Sequence, residues 1–195
     1  PFKNVNDRLP IVQVLSSKGD LSKAVSVRSD DESAMKQILD HLCSLGHKDI
    51  VYLGPEDERV AEDRKRAYVA QAKKHKVKLQ YQSTGHIKDE ASGLTAGLLA
   101  LKSKPTALVC FNDNVAFGVQ DAIARGRAKV AVTGYDNTFF SALERISLTS
   151  VDQDKEGIVA KVVELLSHRE VFNAFSGSEI LIEPNLIVRN SSSKP

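Results

Sequence analysis

The stretch from Thr106 to Gly126 constrains the fold more than any other part of the chain. It opens with a continuous apolar run, Ala107–Phe111, which is typical of a strand buried on both faces. After Asn112 and Asp113, apolar residues recur at helical spacing, namely Val115, Ala116, Val119, Ile123 and Ala124. A buried strand that leads directly into an amphipathic helix is the repeating unit of an open α/β sheet.

The same alternation runs through most of the chain. Strand-like segments are predicted at 9–15, 24–28, 49–53, 77–82, 129–133, 148–151 and 179–188. Helical patterns are predicted at 34–45, 56–76, 88–102 and 157–168. Gly46 is expected to end the first of these helices, and Pro184 to place the last strand at a sheet edge or a bend. This order predicts an α/β fold with doubly wound parallel sheets, in which all strands point the same way.

Composition restricts the functional class. Hydrophobic residues make up 42% of the 195 residues and charged residues 27%, as in ordinary globular proteins. A net charge of +2 is too small to indicate nucleic acid or an anionic membrane as a direct partner of this segment. The apolar runs are too short to cross a bilayer, so no membrane partner is expected. Cys43 and Cys110 lack nearby partner cysteines, which favours reduced thiols and a cytoplasmic location.

Polar side chains follow the buried strands at the ends where a parallel sheet binds its ligand. Gly54, Asn112 and Asp136 each come directly at or after a predicted strand end, and Arg64 lies early in a flanking helix. Carboxylate, carboxamide and guanidinium groups together suit a small polyhydroxylated or heterocyclic ligand. Asn112 or Asp113 has a second interpretation, because either side chain is well suited to cap the helix that follows.

Aromatic residues near the same strand ends are candidates for an apolar face against a sugar ring or a base. Tyr135 and Phe139 are the better candidates, whereas core packing suits Phe111.

Catalysis finds less support in the sequence. Asp113 and Asp136 form a conceivable acid–base pair for glycoside hydrolysis, but nothing in the sequence indicates that their two pKa values differ, as an acid and a base require. Nucleophile-elbow, phosphate-loop and zinc-protease motifs do not occur, and the five histidines show no metal-ligand spacing. We therefore expect a binding protein with no cofactor and no metal, rather than an enzyme.

Short motifs in a fixed order resemble the effector-binding core of the lactose-repressor/galactose-repressor family of bacterial transcription regulators. The segments that carry the resemblance are Leu9–Val12, Val27–Asp31, His41–Ile50, Arg64–Tyr68, Pro105–Gly118, Gly134–Asn137, Leu148–Gln153 and Pro184–Arg189. Each motif is weak alone, and their order makes the resemblance strong. The chain departs from the family pattern at Ala34 and Ala67, where glycine is usual, and in a shortened turn after Gly126.

The resemblance implies a two-lobed sensor of the type I periplasmic-binding-protein kind. It assigns 1–29 to a remnant of the N-subdomain and a first crossover, and 30–153 to the C-subdomain. It assigns 154–181 to a return to the N-subdomain, and 182–195 to a final crossover and tail. The N-terminal lobe is expected to be incomplete. Implied partners are a small effector, either a sugar or a nucleobase, a second copy of the chain in a homodimer, and operator DNA bound by an N-terminal helix–turn–helix domain outside this chain.

The resemblance also implies site residues. Arg64 occupies the position whose arginine reaches the effector in relatives, and Asn112 and Asp136 are expected to bond the ligand beside it. Asp30 and Gln153, at the predicted crossovers, are further candidates, although Asp30 is equally well placed to cap a helix.

The alternative function is the sugar- or solute-binding protein of an ABC-type importer, which shares this fold. The C-terminal Leu186–Arg189 motif and the two unpaired cysteines favour the regulator. A third possibility is a flavodoxin-like enzyme, which measurable turnover of a substrate would distinguish from the two binding proteins.

Overall fold

The computed structural model describes residues 9–16, 21–56, 59–85, 88–99 and 104–192. The chain divides into two compact units: unit 1 is Pro1–Asp30 with Gln153–Pro184, and unit 2 is Asp31–Asp152 with Asn185–Pro195. The chain therefore passes from one unit to the other after Asp30, after Asp152 and after Pro184. The predicted second segment, 30–153, differs from unit 2 by one residue at each end, because Asp30 and Gln153 belong to unit 1.

The described residues form nine strands and six α-helices. The strands are β1 (Val12–Val14), β2 (Val25–Ser29), β3 (Ile50–Gly54), β4 (Tyr81–Ser83), β5 (Ala107–Cys110), β6 (Ala131–Tyr135), β7 (Thr149–Asp152), β8 (Glu179–Ile182) and β9 (Asn185–Ile187). The helices are α1 (Asp31–Ser44), α2 (Arg59–Lys74), α3 (Lys88–Leu99), α4 (Asp113–Gly126), α5 (Lys155–Ser167) and α6 (Arg169–Phe175), with a 3₁₀ helix at Phe139–Ala142. Within the described ranges no helix is long and apolar enough to cross a membrane.

Unit 1 contains a small parallel sheet in the order β1-β2-β8. Val25 and Val27 of its central strand pack against Ile158 and Leu165 of α5 and Phe172 of α6. The described part of this unit therefore has one small core, between the sheet and two helices.

Unit 2 contains a larger sheet in the order β4-β3-β5-β6-β7-β9. Alternate residues of its central strands face two separate cores. Ile50 and Tyr52 pack with α1 and α2, whereas Val51 and Leu53 pack with α3 and α4. Helices on both faces of a parallel sheet confirm the predicted doubly wound α/β fold.

One strand breaks the predicted parallel arrangement. β9 pairs antiparallel with β7, so the expectation that all strands point the same way is wrong for the last one. The predicted single extended piece at 179–188 is in fact two strands, β8 in the sheet of unit 1 and β9 at the edge of the sheet of unit 2. Pro184, which has no backbone N–H to donate, lies in the break between them.

The predicted strand at 77–82 is also shorter than expected, because its first residues end helix α2 instead. The amide of Val77 donates to the carbonyl of Ala72, and Lys76 has the left-handed φ of +55° that ends many helices. Val77 is buried in the core, and the strand begins only at Tyr81. Gly46, with φ of +97°, ends α1 as predicted.

The last described residues are tied to the sheet through two serines and a histidine. Ser191 Oγ donates to the carbonyl of Val132 (2.7 Å) and accepts from the amide of Thr149 (2.8 Å). Ser192 Oγ lies 2.6 Å from Thr149 Oγ1 and 2.8 Å from Nε2 of His41 on α1. Ser191 and Ser192 therefore fasten the end of the described chain to β6, β7 and α1.

Stability should depend on pH through His41. Burial, with a smaller contribution from His47, lowers the pKa of His41 below its usual value of 6.5. The unfolded chain then binds the proton more readily, so this contribution is present above pH 6.5 and is lost as the pH falls through the folded pKa. When the pH is lowered from about 7.5 to about 5, we expect the free energy of unfolding, measured with urea, to fall less in His41→Gln than in the parent protein. His168→Gln, at an exposed position, is the control. Equal losses in the parent and His41→Gln would contradict this assignment.

Candidate functional site

Three parallel strands of unit 2 end level with one another. Leu53 pairs with Cys110, and Val109 pairs with Thr133, so β3, β5 and β6 present their carboxyl ends at a single edge of the sheet. Asp136 directly follows β6, and Asn112 follows β5 after one intervening residue, Phe111. The predicted juxtaposition of strand ends is therefore present.

Arg64 reaches this edge from α2. Its Nη1 donates to the carbonyl of Phe111 (2.6 Å), which is the residue before Asn112. Its guanidinium carbon lies 3.6 Å from the ring centroid of Tyr135, which is the residue before Asp136. The side chain is therefore fixed between the loops that carry the other two predicted residues, and the structure brings all three together.

The guanidinium is buried but remains charged. Arg64 is 5% exposed, and its Nε donates to Asp31 Oδ1 at 3.1 Å. Burial works to lower the pKa of Arg64, but Tyr135, Asp31, Tyr52 and Asp136 outweigh it, so the pKa is raised. A buried cation of this kind is stable only with such partners.

Asp31 is the member of this set that sequence reasoning missed. Its Oδ1 accepts from both Arg64 Nε and the hydroxyl of Tyr135 (2.8 Å), and the residue is 6% exposed. From sequence, an acidic residue in the first turn of α1 indicates no more than an ordinary complement to the helix dipole. Only the packing of α1 beside α2 shows that Asp31 holds the arginine.

Asn112 caps helix α4, as its alternative interpretation predicted. Its Oδ1 accepts from the amide of Val115 at 2.9 Å. Capping uses the oxygen alone, and among the described residues no hydrogen-bond partner contacts the Nδ2 group. The two roles are therefore compatible, and ligand binding by Asn112 stays a prediction.

Asp136 lies directly after β6 in an unusual backbone conformation. Its φ is +109°, and its amide donates to the carbonyl of Val151 at 2.9 Å. The residue is half-buried, and its carboxylate interacts electrostatically with Arg64. Non-glycine residues with positive φ are costly and concentrate at functional sites.

Asp113, one of the two residues of the conceivable acid–base pair, makes hydrogen bonds inside the protein. It is fully buried, and its two oxygens accept from the hydroxyl of Ser150 (2.6 Å) and from the amide and hydroxyl of Thr138 (2.7 and 2.9 Å). Gly134 makes room for it, because a Cβ at that position would clash with Asp113 Oδ1. Asp113 therefore joins α4 to the loop after β6 and is shielded from solvent.

The three aromatic residues near the strand ends differ in solvent exposure. Tyr135 is fully buried, so the expectation that it supplies a face for a ligand ring is wrong; its ring and hydroxyl contact Arg64 and Asp31 instead. Phe111 is buried, with the guanidinium of Arg64 4.6 Å from its ring centroid. Phe139 is 79% exposed.

Asp30 and Gln153 belong to unit 1 and stay predictions as ligand contacts. The amide of Asp30 donates to the carbonyl of Ile182 (2.9 Å), and Asp30 occupies the position directly ahead of α1, where a cap would lie. Gln153 is buried, at 8% exposure. Both residues stand next to points where the chain passes from one unit to the other.

Acidic, thiol and imidazole groups do not gather into a metal site in the described part of the chain. Cys43 and Cys110 are both free thiols, and burial raises the pKa of each. The side chains that the structure places at the strand ends are hydrogen-bonding groups, namely the guanidinium of Arg64, the carboxamide of Asn112 and the carboxylate of Asp136.

Most of the chain matches the model of a known protein family. The model of the periplasmic binding protein-like domain matches residues 39–192, which is most of the chain and includes the whole strand-end site of unit 2 except Asp31. The chain belongs to the periplasmic binding protein-like domain family. Membership agrees with the doubly wound sheet of unit 2 and with the fold that the sequence motifs predicted.

Two curated relatives of this periplasmic binding protein-like domain are repressors by name. The chain is 30% identical to the "Probable HTH-type transcriptional repressor ExuR" of Bacillus subtilis, over 94% of this chain and 57% of the relative. It is 30% identical to the "HTH-type transcriptional repressor PurR" of Mannheimia succiniciproducens, over 79% and 48%. A LacI transcriptional regulator from a Rhodococcus species superposes with a TM-score of 0.87 at 25% identity, over 98% of this chain and 72% of that one.

These matches confirm the resemblance to the effector-binding core of LacI-type regulators. The chain spans about half the length of the curated relatives it matches.

Proposed function

We propose that this chain is the ligand-sensing domain of a LacI-type transcriptional regulator. An effector binds at the strand-end site of unit 2 and, through a second copy of the chain, controls operator binding by a helix–turn–helix domain of the full-length protein. A ligand shifts such an equilibrium only by binding one conformation of the protein better than the other. Reduced Cys43 and Cys110 fit the cytoplasm as the place where this occurs.

The observation that carries the proposal is the unused hydrogen-bonding capacity of Arg64. Its Nε and Nη1 bond to Asp31 and Phe111, whereas Nη2 has no hydrogen-bond partner among the described residues. A charged donor that has no acceptor in the protein can donate to an oxygen of a bound molecule. The Nδ2 group of Asn112 and the carboxylate of Asp136, at the same edge, supply the further donors and charge that a ligand with several hydroxyl groups requires.

Charge balance favours an uncharged ligand. Asp31 neutralises Arg64 within 3.1 Å, and Asp136 adds a second negative charge to the same edge. A sugar hydroxyl can both donate to a carboxylate and accept from a guanidinium, whereas a carboxylate or phosphate ligand would approach a net negative set. We therefore infer a neutral monosaccharide, with a neutral nucleobase as the second class.

Thermal unfolding of the full-length protein tests the effector. The panel contains D-galactose, L-arabinose, D-ribose, D-galacturonate and hypoxanthine. We expect at least one neutral member to raise the melting temperature in a concentration-dependent way. D-Galactose and D-galacturonate differ only at C6, so they isolate the effect of ligand charge. A larger shift with D-galacturonate would contradict the inference about charge.

DNA binding separates the regulator from its rival. We expect the full-length protein to retard the DNA segment upstream of its own gene, and the ligand found in the panel to change that retardation. The importer alternative predicts a thermal shift without DNA binding. The absence of both a thermal shift and DNA retardation would overturn the sensor proposal.

An exposed apolar surface of unit 2 supports the homodimer. Phe140 is 58% exposed beside a groove of about 1070 Å³, whose apolar lining includes Phe117, Ile123, Val130, Leu143 and Ile146. Exposed apolar side chains that gather at one groove are typical of an interaction site. We assign it to a second copy of the chain, because a two-fold dimer places the same patch on both subunits.

Phe140→Glu should dissociate this dimer. A charge at the centre of an apolar interface is left unpaired, and the association weakens strongly. Sedimentation velocity of the full-length protein should show monomer for Phe140→Glu and dimer for Leu79→Glu, which introduces the same charge at another exposed position of unit 2. A dimeric Phe140→Glu variant would remove this surface from the proposal.

A further inference from the structure

The loop that carries Asp136 contains two consecutive residues in the left-handed region. Asp136 has φ of +109° and Asn137 has φ of +43°, and neither is glycine. Such a conformation persists only where the surrounding contacts hold it. The contacts of Asn137 therefore help to hold the backbone conformation of the adjacent Asp136.

The side-chain amide of Asn137 bridges two opposite charges. Its Nδ2 donates to Asp152 Oδ2 at 2.7 Å, and its Oδ1 accepts from Arg189 Nη2, also at 2.7 Å. Arg189 is itself held, because its Nη1 donates to the carbonyl of Leu148 at 2.6 Å. The backbone amide of Asn137 donates to Ser150 Oγ at 3.0 Å. Hydrogen bonds to charged groups are the stronger kind, so this amide is firmly anchored.

The two charged partners stand close in sequence to the points where the chain changes units. Asp152 is the last residue of unit 2 before the chain enters unit 1, and Arg189 follows β9, the strand that begins as the chain returns. Asn137 therefore connects the loop of the proposed ligand carboxylate to β7 and to the segment after β9.

We propose that Asn137, clamped by Asp152 and Arg189, is the positioning residue for Asp136. The clamp keeps residues 136 and 137 in the left-handed region and so aims the carboxylate at the ligand. It also makes the ligand loop, the end of β7 and the segment after β9 move as one piece. This inference rests on the proposed function for its ligand, but the clamp itself can be tested without one.

Hydrogen–deuterium exchange of the ligand-free, full-length protein tests the clamp. Arg189→Met removes the donor to Asn137, and we expect faster exchange in a peptide that covers residues 136–141. Arg125→Met is the matched control, since Arg125 bonds to Ser92 at a different place in unit 2. Unchanged exchange at 136–141 in Arg189→Met would overturn the proposal.

Swapping the carboxamide and the carboxylate between positions 137 and 152 gives a sharper test. Asn137→Asp places a carboxylate against Asp152, and we expect faster exchange and weaker binding of the neutral sugars of the panel. In the double variant, which combines Asn137→Asp with Asp152→Asn, the amide introduced at position 152 can donate to the new carboxylate, which still accepts from Arg189. We expect slow exchange and at least a tenfold recovery of affinity over the single variant. A structural role without positioning would restore the exchange rate and leave the affinity low, and that result would overturn the proposal.

The two proposals fail in different ways. If no panel member binds the parent protein but Arg189→Met exchanges faster at 136–141, the clamp stands and the assignment of Asp136 as a ligand residue falls. If a sugar binds and the double variant is not rescued, the sensor stands and the clamp falls.

Discussion

Asp31→Ala is expected to lower the free energy of unfolding by about 3–5 kcal/mol. The substitution removes the carboxylate that accepts from Arg64 Nε and from the Tyr135 hydroxyl, and both partners are buried. The charge of Arg64 then lies in the interior without its closest counter-ion, which is the costly way to break a buried pair. The Tyr135 hydroxyl loses its acceptor at the same time.

Urea unfolding monitored by circular dichroism measures this loss. Glu32→Ala, one residue further along α1, is the matched control, because its 3.4 Å ion pair with Lys74 is largely exposed. Exposed pairs contribute about 1 kcal/mol or less. A similar small effect for both variants would mean that Arg64 does not depend on Asp31. Asp31→Asn, which keeps an acceptor oxygen but not the charge, should fall between the two.

Asp136→Ala is expected to weaken binding of the neutral sugar by about 10- to 100-fold, which corresponds to the loss of one or two hydrogen bonds to a charged group. The fold should survive, because Asp136 is half-buried and alanine keeps its backbone amide bond to Val151.

Isothermal titration with the sugar identified in the panel gives the affinity, and Asp89→Ala, at an exposed position on α3, controls for loss of charge. Unchanged affinity in Asp136→Ala would remove Asp136 from the site.

The sequence predicted which edge of the sheet carries the residues of the proposed site. Continuous apolar runs indicate the strands, and their alternation with helices predicts that the strands are parallel, so the meeting of Asn112 and Asp136 at one edge followed from that pattern. The position of Arg64 early in a flanking helix made it a candidate, and the family resemblance singled it out, because no periodicity in α2 distinguishes it from the other charged residues of that helix.

The missed features depend on tertiary packing. The role of Asp31 requires α1 to lie beside α2, and the burial of Tyr135 requires Arg64 to lie over its ring. The reversal at β9 depends on Pro184 standing where the chain leaves one sheet and joins another, and a short apolar run carries no signal of its direction.

The guanidinium of Arg64 is held at Nε, at Nη1 and against two rings, so little freedom is left for Nη2. A rigid donor of this kind cannot follow a hydroxyl that is displaced to the opposite side of a pyranose ring. Two sugars that differ only in the configuration of one carbon should therefore be told apart by this side chain, and stereochemical selectivity would be built into the packing of unit 2 rather than into a mobile loop.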